Sequence, residues 1–94
     1  MVKHIVCFKL NEGESVDKAI EVLKSMKGKV PTALEIEVGK DFLQSSRSYD
    51  IFLSVVVQDR NALDEYQNDS YHVEVVKKHM HSVVKSSVAI DFEF

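Results

Sequence analysis

Cysteine is almost absent from the sequence, and no stretch is apolar enough to cross a membrane. The single cysteine, Cys7, excludes a disulfide within the chain and is typical of a reducing compartment. A membrane-spanning helix needs about 18 consecutive apolar residues. No run approaches that length, and Lys3 and His4 interrupt the first one. We therefore expect a cytoplasmic protein that does not enter membranes.

Clusters of basic side chains are also missing. The net charge is −3, and Lys77 and Lys78 are the only adjacent pair of lysine or arginine residues. Proteins that bind nucleic acid gather these side chains on one face to neutralise phosphates. Nucleic acid is therefore not an expected partner.

Cofactor-binding motifs are absent as well. The chain has no glycine-rich phosphate loop, no dinucleotide fingerprint and no set of cysteine ligands, so we expect no bound organic cofactor. A metal site made of His72, His79 and His81 is an alternative, but its spacing is poor. Residues 79 and 81 diverge on a helix, and residues 72 and 79 are two turns apart. Solvated or salt-bridged histidines are the favoured interpretation.

The chain is short for the surface that it must bury. Its 94 residues, 45% hydrophobic and 29% charged, are typical of one globular domain, which we place over residues 1–94. A monomer of this size buries only about 60–65% of the surface that its unfolded chain exposes. Self-association would therefore stabilise the fold.

Hydrophobic periodicity alternates between strand and helix along the chain. The predicted elements are a strand at 1–10, a helix at 16–27, strands at 34–38 and 49–57, a helical region at 59–83 broken at 68–70, and a strand at 88–94. In the second half of the helical region, Val73, Val76, Met80 and Val83 recur at helical spacing and predict an apolar stripe, with His72 at its flank.

This order of elements is that of the α+β ferredoxin-like βαββαβ fold, with an antiparallel four-stranded sheet whose first and third strands are central. Two helices cover one side of such a sheet, yet both central strands are apolar on both sides. We expect a second copy to cover the other side, sheet against sheet, giving a homodimeric α/β barrel. A ligand-binding groove on an open sheet is the competing explanation.

Acidic residues alternate with apolar ones on both predicted edge strands. They are Glu35, Glu37, Asp91 and Glu93. We interpret them as charges that prevent edge-to-edge aggregation rather than as cation ligands.

Five segments together carry a resemblance that extends over essentially the whole chain. They are Met1–Leu10, Val30-Pro31, Ile36–Asp41, Tyr49-Asp50-Ile51, and Ala62–Tyr66 leading to His72. In this order and spacing they look like the stress-responsive A/B barrel domain. The resemblance implies a homodimer whose sheets pack into a barrel, but it does not imply one activity.

The same resemblance implies three candidate site residues. The family includes stress-induced plant proteins and olivetolic acid cyclase, which closes a linear polyketide by aldol condensation. The positions that match its pocket are His4, Tyr66 and His72. The family commonly has a His-Pro pair just before the last histidine, where this sequence has Asp69-Ser70. Ser70 can cap the helix in place of the proline, but a polar group at the pocket mouth is lost.

These three side chains leave two functional classes open. A histidine base with a tyrosine donor suits proton removal next to a carbonyl and stabilisation of the enolate. The favoured explanation is that these residues are hydrogen-bonded groups at the edge of a small core, because no partners within hydrogen-bond reach are evident from the sequence. The chain is then either a dimeric module that binds a small apolar or carbonyl-containing molecule, or a cofactor-free cyclase or isomerase. A pocket lined by His4, Tyr66 and His72 would favour the enzyme.

Overall fold

The computed structural model describes all residues, 1–94, and follows the predicted order of elements. The elements are β1 Val2–Leu10, α1 Val16–Lys24, β2 Glu35–Lys40, β3 Ile51–Val57, α2 Arg60–Asn68, a π-helical segment His72–Lys77, α3 Lys78–Val83 and β4 Val84–Glu93. No helix combines the length and the apolar character that crossing a bilayer requires.

The strands form one antiparallel sheet in the order β2-β3-β1-β4. The prediction that the first and third strands are central is therefore confirmed, and the fold is the ferredoxin-like α+β fold. β1 and β3 are richest in branched and aromatic residues, which suit a strand paired on both edges. In the sheet, His4 of β1 lies between Val55 of β3 and Asp91 of β4.

The helices cover one face of the sheet, and the core lies between them. Side chains on alternate strand positions, such as Leu53 and Val55, point to this face and pack with Leu23 and Met26 of the α1 region. Leu23, Met26 and Val55 are almost completely buried. This face therefore holds the hydrophobic core.

The opposite face, here called the open face, carries no helix. Its apolar side chains are Ile5, Cys7, Phe52, Val56, Val88, Ile90 and Phe92. Three of them belong to the edge strand β4 and are 40–60% exposed. The sequence predicted this apolar layer from the two central strands, but β4 supplies three of its seven side chains, because Val88, Ile90 and Phe92 point away from the helices.

β4 begins at Val84, four residues before the predicted start at 88. The strand follows α3 directly, and Val84 pairs with Leu10 across an irregularity in the ladder. Residues 85–87 are Lys-Ser-Ser, so this part of the strand carries no hydrophobic alternation. Pairing with β1, rather than local sequence, makes it a strand.

The first part of the helical region after α2 is a π-helix and not the α-helix that the sequence predicted. Residues His72–Lys77 form a π-helix, in which hydrogen bonds connect residues five apart rather than four. His72 and Val76 face the core, whereas Val73 is 41% exposed. The predicted apolar stripe was therefore wrong at Val73, because that prediction assumed α-helical geometry throughout.

Asp50 anchors the end of β1 to the start of β3. Its buried carboxylate accepts a hydrogen bond from the Leu10 N–H at 2.8 Å, and its own N–H donates to the Phe8 carbonyl oxygen at 2.8 Å. Replacing Asp50 by alanine would leave the Leu10 N–H buried without a partner.

We predict that Asp50→Ala lowers the free energy of unfolding by about 1–3 kcal/mol, the cost of an unsatisfied buried donor. Urea denaturation measures this change. The control is Asp64→Ala, which removes an exposed carboxylate from α2 and should change stability by less than about 0.5 kcal/mol. Equal effects of the two substitutions would contradict the anchoring role of Asp50.

Candidate functional site

His4, Tyr66 and His72, which come from three different elements, line one cavity between the sheet and the helices. Its volume is about 260 Å³. The Tyr66 ring centroid lies 5.7 Å from that of His4 and 4.3 Å from that of His72. The remaining lining residues are Val6, Phe8, Leu23, Leu53, Gln67, Val76, Lys77, Met80, His81, Val84, Ser87 and Ala89.

Helix capping places Tyr66 in the last turn of α2. Asp59 caps the helix, and its Oδ1 accepts the Ala62 N–H at 2.8 Å. The Tyr66 side chain is fully buried, and its hydroxyl donates to Met26 Sδ at 3.7 Å. Burial raises the pKa of Tyr66 well above its usual value, so the hydroxyl keeps its proton. Because a thioether is a weak acceptor, the Tyr66 hydroxyl can donate its hydrogen bond to a stronger acceptor instead.

Asp69, and not Ser70 as predicted, caps the helical region that begins with Ser70. Asp69 Oδ1 accepts the His72 N–H at 3.1 Å, and its carbonyl oxygen accepts the Val73 N–H at 2.9 Å. A carboxylate at this position satisfies free N–H groups of the first turn and favours the positive end of the helix dipole. The capping role proposed for Ser70 was therefore wrong.

His72 is held as a neutral imidazole with one defined tautomer. Its Nδ1–H donates to the Tyr66 carbonyl oxygen at 2.9 Å, which leaves the lone pair on Nε2. Burial lowers the pKa of His72 below 6.5; the hydrogen bond to Tyr66 opposes this change, and the charge of Lys77 adds to it. At neutral pH His72 can therefore accept a proton or a hydrogen bond at Nε2.

Asp91 is a functional candidate that the sequence interpretation missed. Its carboxylate accepts a hydrogen bond from the His4 Nδ1–H, and this contact fixes the ring of His4. We interpreted Asp91 as an edge-strand charge, but it lies opposite His4 in the β1–β4 ladder and on the same face. The strand register brings the two together, and a single sequence carries no direct signal of register.

The second ring nitrogens of both cavity histidines are free. Neither Nε2 makes a hydrogen bond within the protein. The buried side-chain atoms without a partner are Thr32 Oγ1 and His79 Nε2, so Nε2 of His4 and of His72 reach accessible space. The cavity thus combines two imidazole acceptors and one phenol donor with apolar walls.

The other histidines do not join this group into a metal site. No set of three or more histidine, cysteine, aspartate or glutamate side chains is close enough to hold a metal ion. His81 lies at the cavity, whereas His79 does not line it.

The family model for the stress responsive A/B barrel domain matches residues 2–94. The chain belongs to this family. No sequence among the curated proteins is significantly similar to it. The resemblance that the five sequence segments carried is therefore confirmed over the whole domain.

Solved structures share the fold at low sequence identity. A dimeric protein of unknown function from Bacteroides fragilis is 24% identical, with a TM-score of 0.84 over 99% of this chain and 95% of that chain. A Dabb family protein from Mesorhizobium loti is 20% identical, with a TM-score of 0.75 over 99% and 95%. Hydroxynitrile lyase from Passiflora edulis is 14% identical, with a TM-score of 0.83 over 97% and 90%. These likenesses establish the ferredoxin-like fold.

The lowered pKa of His72 predicts an effect of pH on stability. As pH falls below about 6.5, an unfolded chain protonates this imidazole before the folded protein does. The free energy of unfolding should therefore decrease between about pH 7 and pH 5, and less steeply in the His72→Asn variant. Urea denaturation across this range measures both slopes, with His79→Asn as the control. Parallel curves for wild type and His72→Asn would contradict the prediction.

Proposed function

We propose that this protein is a homodimer that binds a small apolar, carbonyl-containing molecule in the cavity at His4, Tyr66 and His72. The observation that carries the proposal is the pairing of apolar walls with one hydroxyl donor and two free imidazole acceptors. Ligand sites of proteins typically combine apolar walls with a few polar groups that orient the ligand.

The open face supports the proposed dimer. Val88, Ile90 and Phe92 are exposed on β4, next to Ile5 and Cys7 of β1, and the apolar side chains of β3 lie beyond them. A contiguous apolar surface of this kind marks an interface. The structurally similar protein from Bacteroides fragilis is described as dimeric. We propose that two copies pack their open faces together, which leaves the cavities on the outer, helix-covered sides.

The size and lining of the cavity suit a small ligand. At about 260 Å³ it lies slightly below the usual range for drug-sized molecules. Leu23, Leu53 and Val76 supply an apolar interior, and Tyr66, whose hydroxyl donates only to the weak acceptor Met26 Sδ, lines the same cavity. The single cysteine supports a location in the reducing cytoplasm.

Catalysis in the same cavity is a second candidate, and the fixed tautomer of His72 favours it. A neutral imidazole with its lone pair on Nε2 can take the proton next to a bound carbonyl. Tyr66 can donate a hydrogen bond to the enolate oxygen, and Asp91 holds the second imidazole, His4, in place. The chain would then be a cofactor-free enzyme of the polyketide cyclase or isomerase type. A protein of the same fold, from Passiflora edulis, is a hydroxynitrile lyase.

We predict that the wild-type protein sediments as a dimer at micromolar concentration and that Ile90→Lys sediments as a monomer. The substitution places a charge in the middle of the apolar open face, where its desolvation opposes association. The control is Ser87→Lys, which adds the same charge to the other face of β4 and should remain dimeric. A monomeric wild-type protein would contradict the dimer.

The cavity is tested with benzylacetone, a neutral apolar ketone, by ligand-observed NMR. We predict binding to the wild-type protein and at least about tenfold weaker binding to Ala89→Phe, which fills the cavity rim. The control is Glu93→Phe. It adds the same side chain to the same face of β4 outside the cavity, and the exposed ion pair with Arg60 that it removes contributes little. Equal binding by wild type and Ala89→Phe would place the ligand elsewhere.

The same samples in D₂O separate binding from catalysis. Proton abstraction exchanges the α-protons of benzylacetone for deuterium, and the corresponding NMR signals disappear. If the protein accelerates this exchange relative to buffer, and the acceleration is lost in His72→Phe but kept in His79→Phe, the result supports the enzyme. Binding without accelerated exchange supports the binding module.

A further inference from the structure

Lys77 and His81 line the cavity, but carbonyl binding as proposed above involves neither side chain. We infer that its ligand also carries a carboxylate, which Lys77 and His81 bind at the cavity mouth. The inference rests on the proposed function, because it concerns the ligand of the same cavity. It narrows the substrate class to small keto acids and aromatic or aliphatic acyl carboxylates.

The charge of the lining is one-sided. Among the residues that line the cavity are one lysine and three histidines, but no aspartate or glutamate. Acidic residues are not scarce in this chain, which has 15 of them against 12 lysines and arginines. Asp91 contacts His4 but does not line the cavity. Beside the two imidazole acceptors, the lining therefore offers an incoming ligand one positive charge, that of Lys77, and no negative charge.

The π-helical segment is what directs Lys77 to the cavity. In an α-helix, with about 100° per residue, positions 72 and 77 would point about 140° apart. In a π-helix, hydrogen bonds join residues five apart, and these residues lie on the same side of the helix. His72 and Lys77 both line the cavity as a result. The regular helix α3 then continues, and His81, four residues after Lys77, lies on the same face.

Lys77 has no counter-ion in the protein. Lys9, Lys18 and Lys40 each lie within 4.0 Å of a carboxylate, whereas Lys77 does not. Its ammonium donates one hydrogen bond, to the Gln67 carbonyl oxygen at 2.9 Å. An ammonium has three N–H donors, so two remain. Because the side chain is half-buried, its charge is less screened by water than that of an exposed lysine.

The degree of burial of the lining residues indicates which end of the ligand lies inside the cavity. Tyr66 and His72 are buried, Lys77 is half-buried, and His81 and Ser87 are exposed. The carbonyl and the apolar part of the ligand therefore lie inside, and the carboxylate lies at the mouth. There it accepts charge-assisted hydrogen bonds from the Lys77 ammonium and an N–H hydrogen bond from His81.

A purely structural role for Lys77 is the competing explanation. Its hydrogen bond to Gln67 satisfies a carbonyl in the last turn of α2, where a cation also favours the helix dipole. In that role, loss of the charge would lower stability but would not change the preference between charged and neutral ligands. This preference is therefore the decisive measurement.

The probes are benzoylpropionate, an aromatic ketone with a carboxylate, and its primary amide, which has nearly the same shape without the charge. Calorimetric titration of the full-length protein should give roughly tenfold tighter binding of the acid. Lys77→Met should abolish this preference by weakening binding of the acid alone, and Lys77→Arg should retain it. The control is Lys78→Met, which removes the neighbouring, exposed lysine and should leave both affinities unchanged.

Three outcomes would overturn the inference. Equal binding of acid and amide to the wild-type protein contradicts carboxylate recognition but leaves carbonyl binding in place. An equal loss of preference in Lys77→Met and Lys78→Met shows a general surface-charge effect rather than a site. Binding of neither probe contradicts the proposed function itself as well as the inference.

Discussion

The structure depends on one constraint, which is that the helices cover only one face of a four-stranded sheet. Branched and aromatic residues fill both faces of β3, and β4 adds Val88, Ile90 and Phe92 to the uncovered face. The helix-covered face becomes the core, and the open face becomes the surface through which we propose that the chain dimerises. The two faces of one sheet thereby have separate roles.

The cavity lies where the helical layer changes its geometry. α2 ends after Tyr66, Asp69 begins the next helical region, and that region runs as a π-helix from His72. The wide turns bring His72 and Lys77 to one side, next to His4 of the central strand. Because the cavity opens on the helix-covered side, the proposed ligand site and the proposed dimer interface lie on different surfaces.

The polar groups of the cavity are oriented by contacts outside it. The Tyr66 carbonyl oxygen fixes the tautomer of His72, and Asp91 holds His4 from the neighbouring strand. Such supporting hydrogen bonds decide which ring nitrogen faces a ligand. They also link the edge strand β4 to the cavity, so a strand that contributes three side chains to the open face also positions a cavity residue.

Hydrophobic periodicity alone determined the order of the elements, the central position of β1 and β3 and the presence of an unpaired apolar face, because these follow from which side chains avoid water. The resemblance of five segments to a family identified His4, Tyr66 and His72. Only the tertiary structure decided the remainder, namely the early start of β4, the contact of Asp91 with His4 and the wide helix that turns Val73 out and Lys77 in. Each of these depends on strand register or helical pitch, which are set by packing between elements distant in the chain.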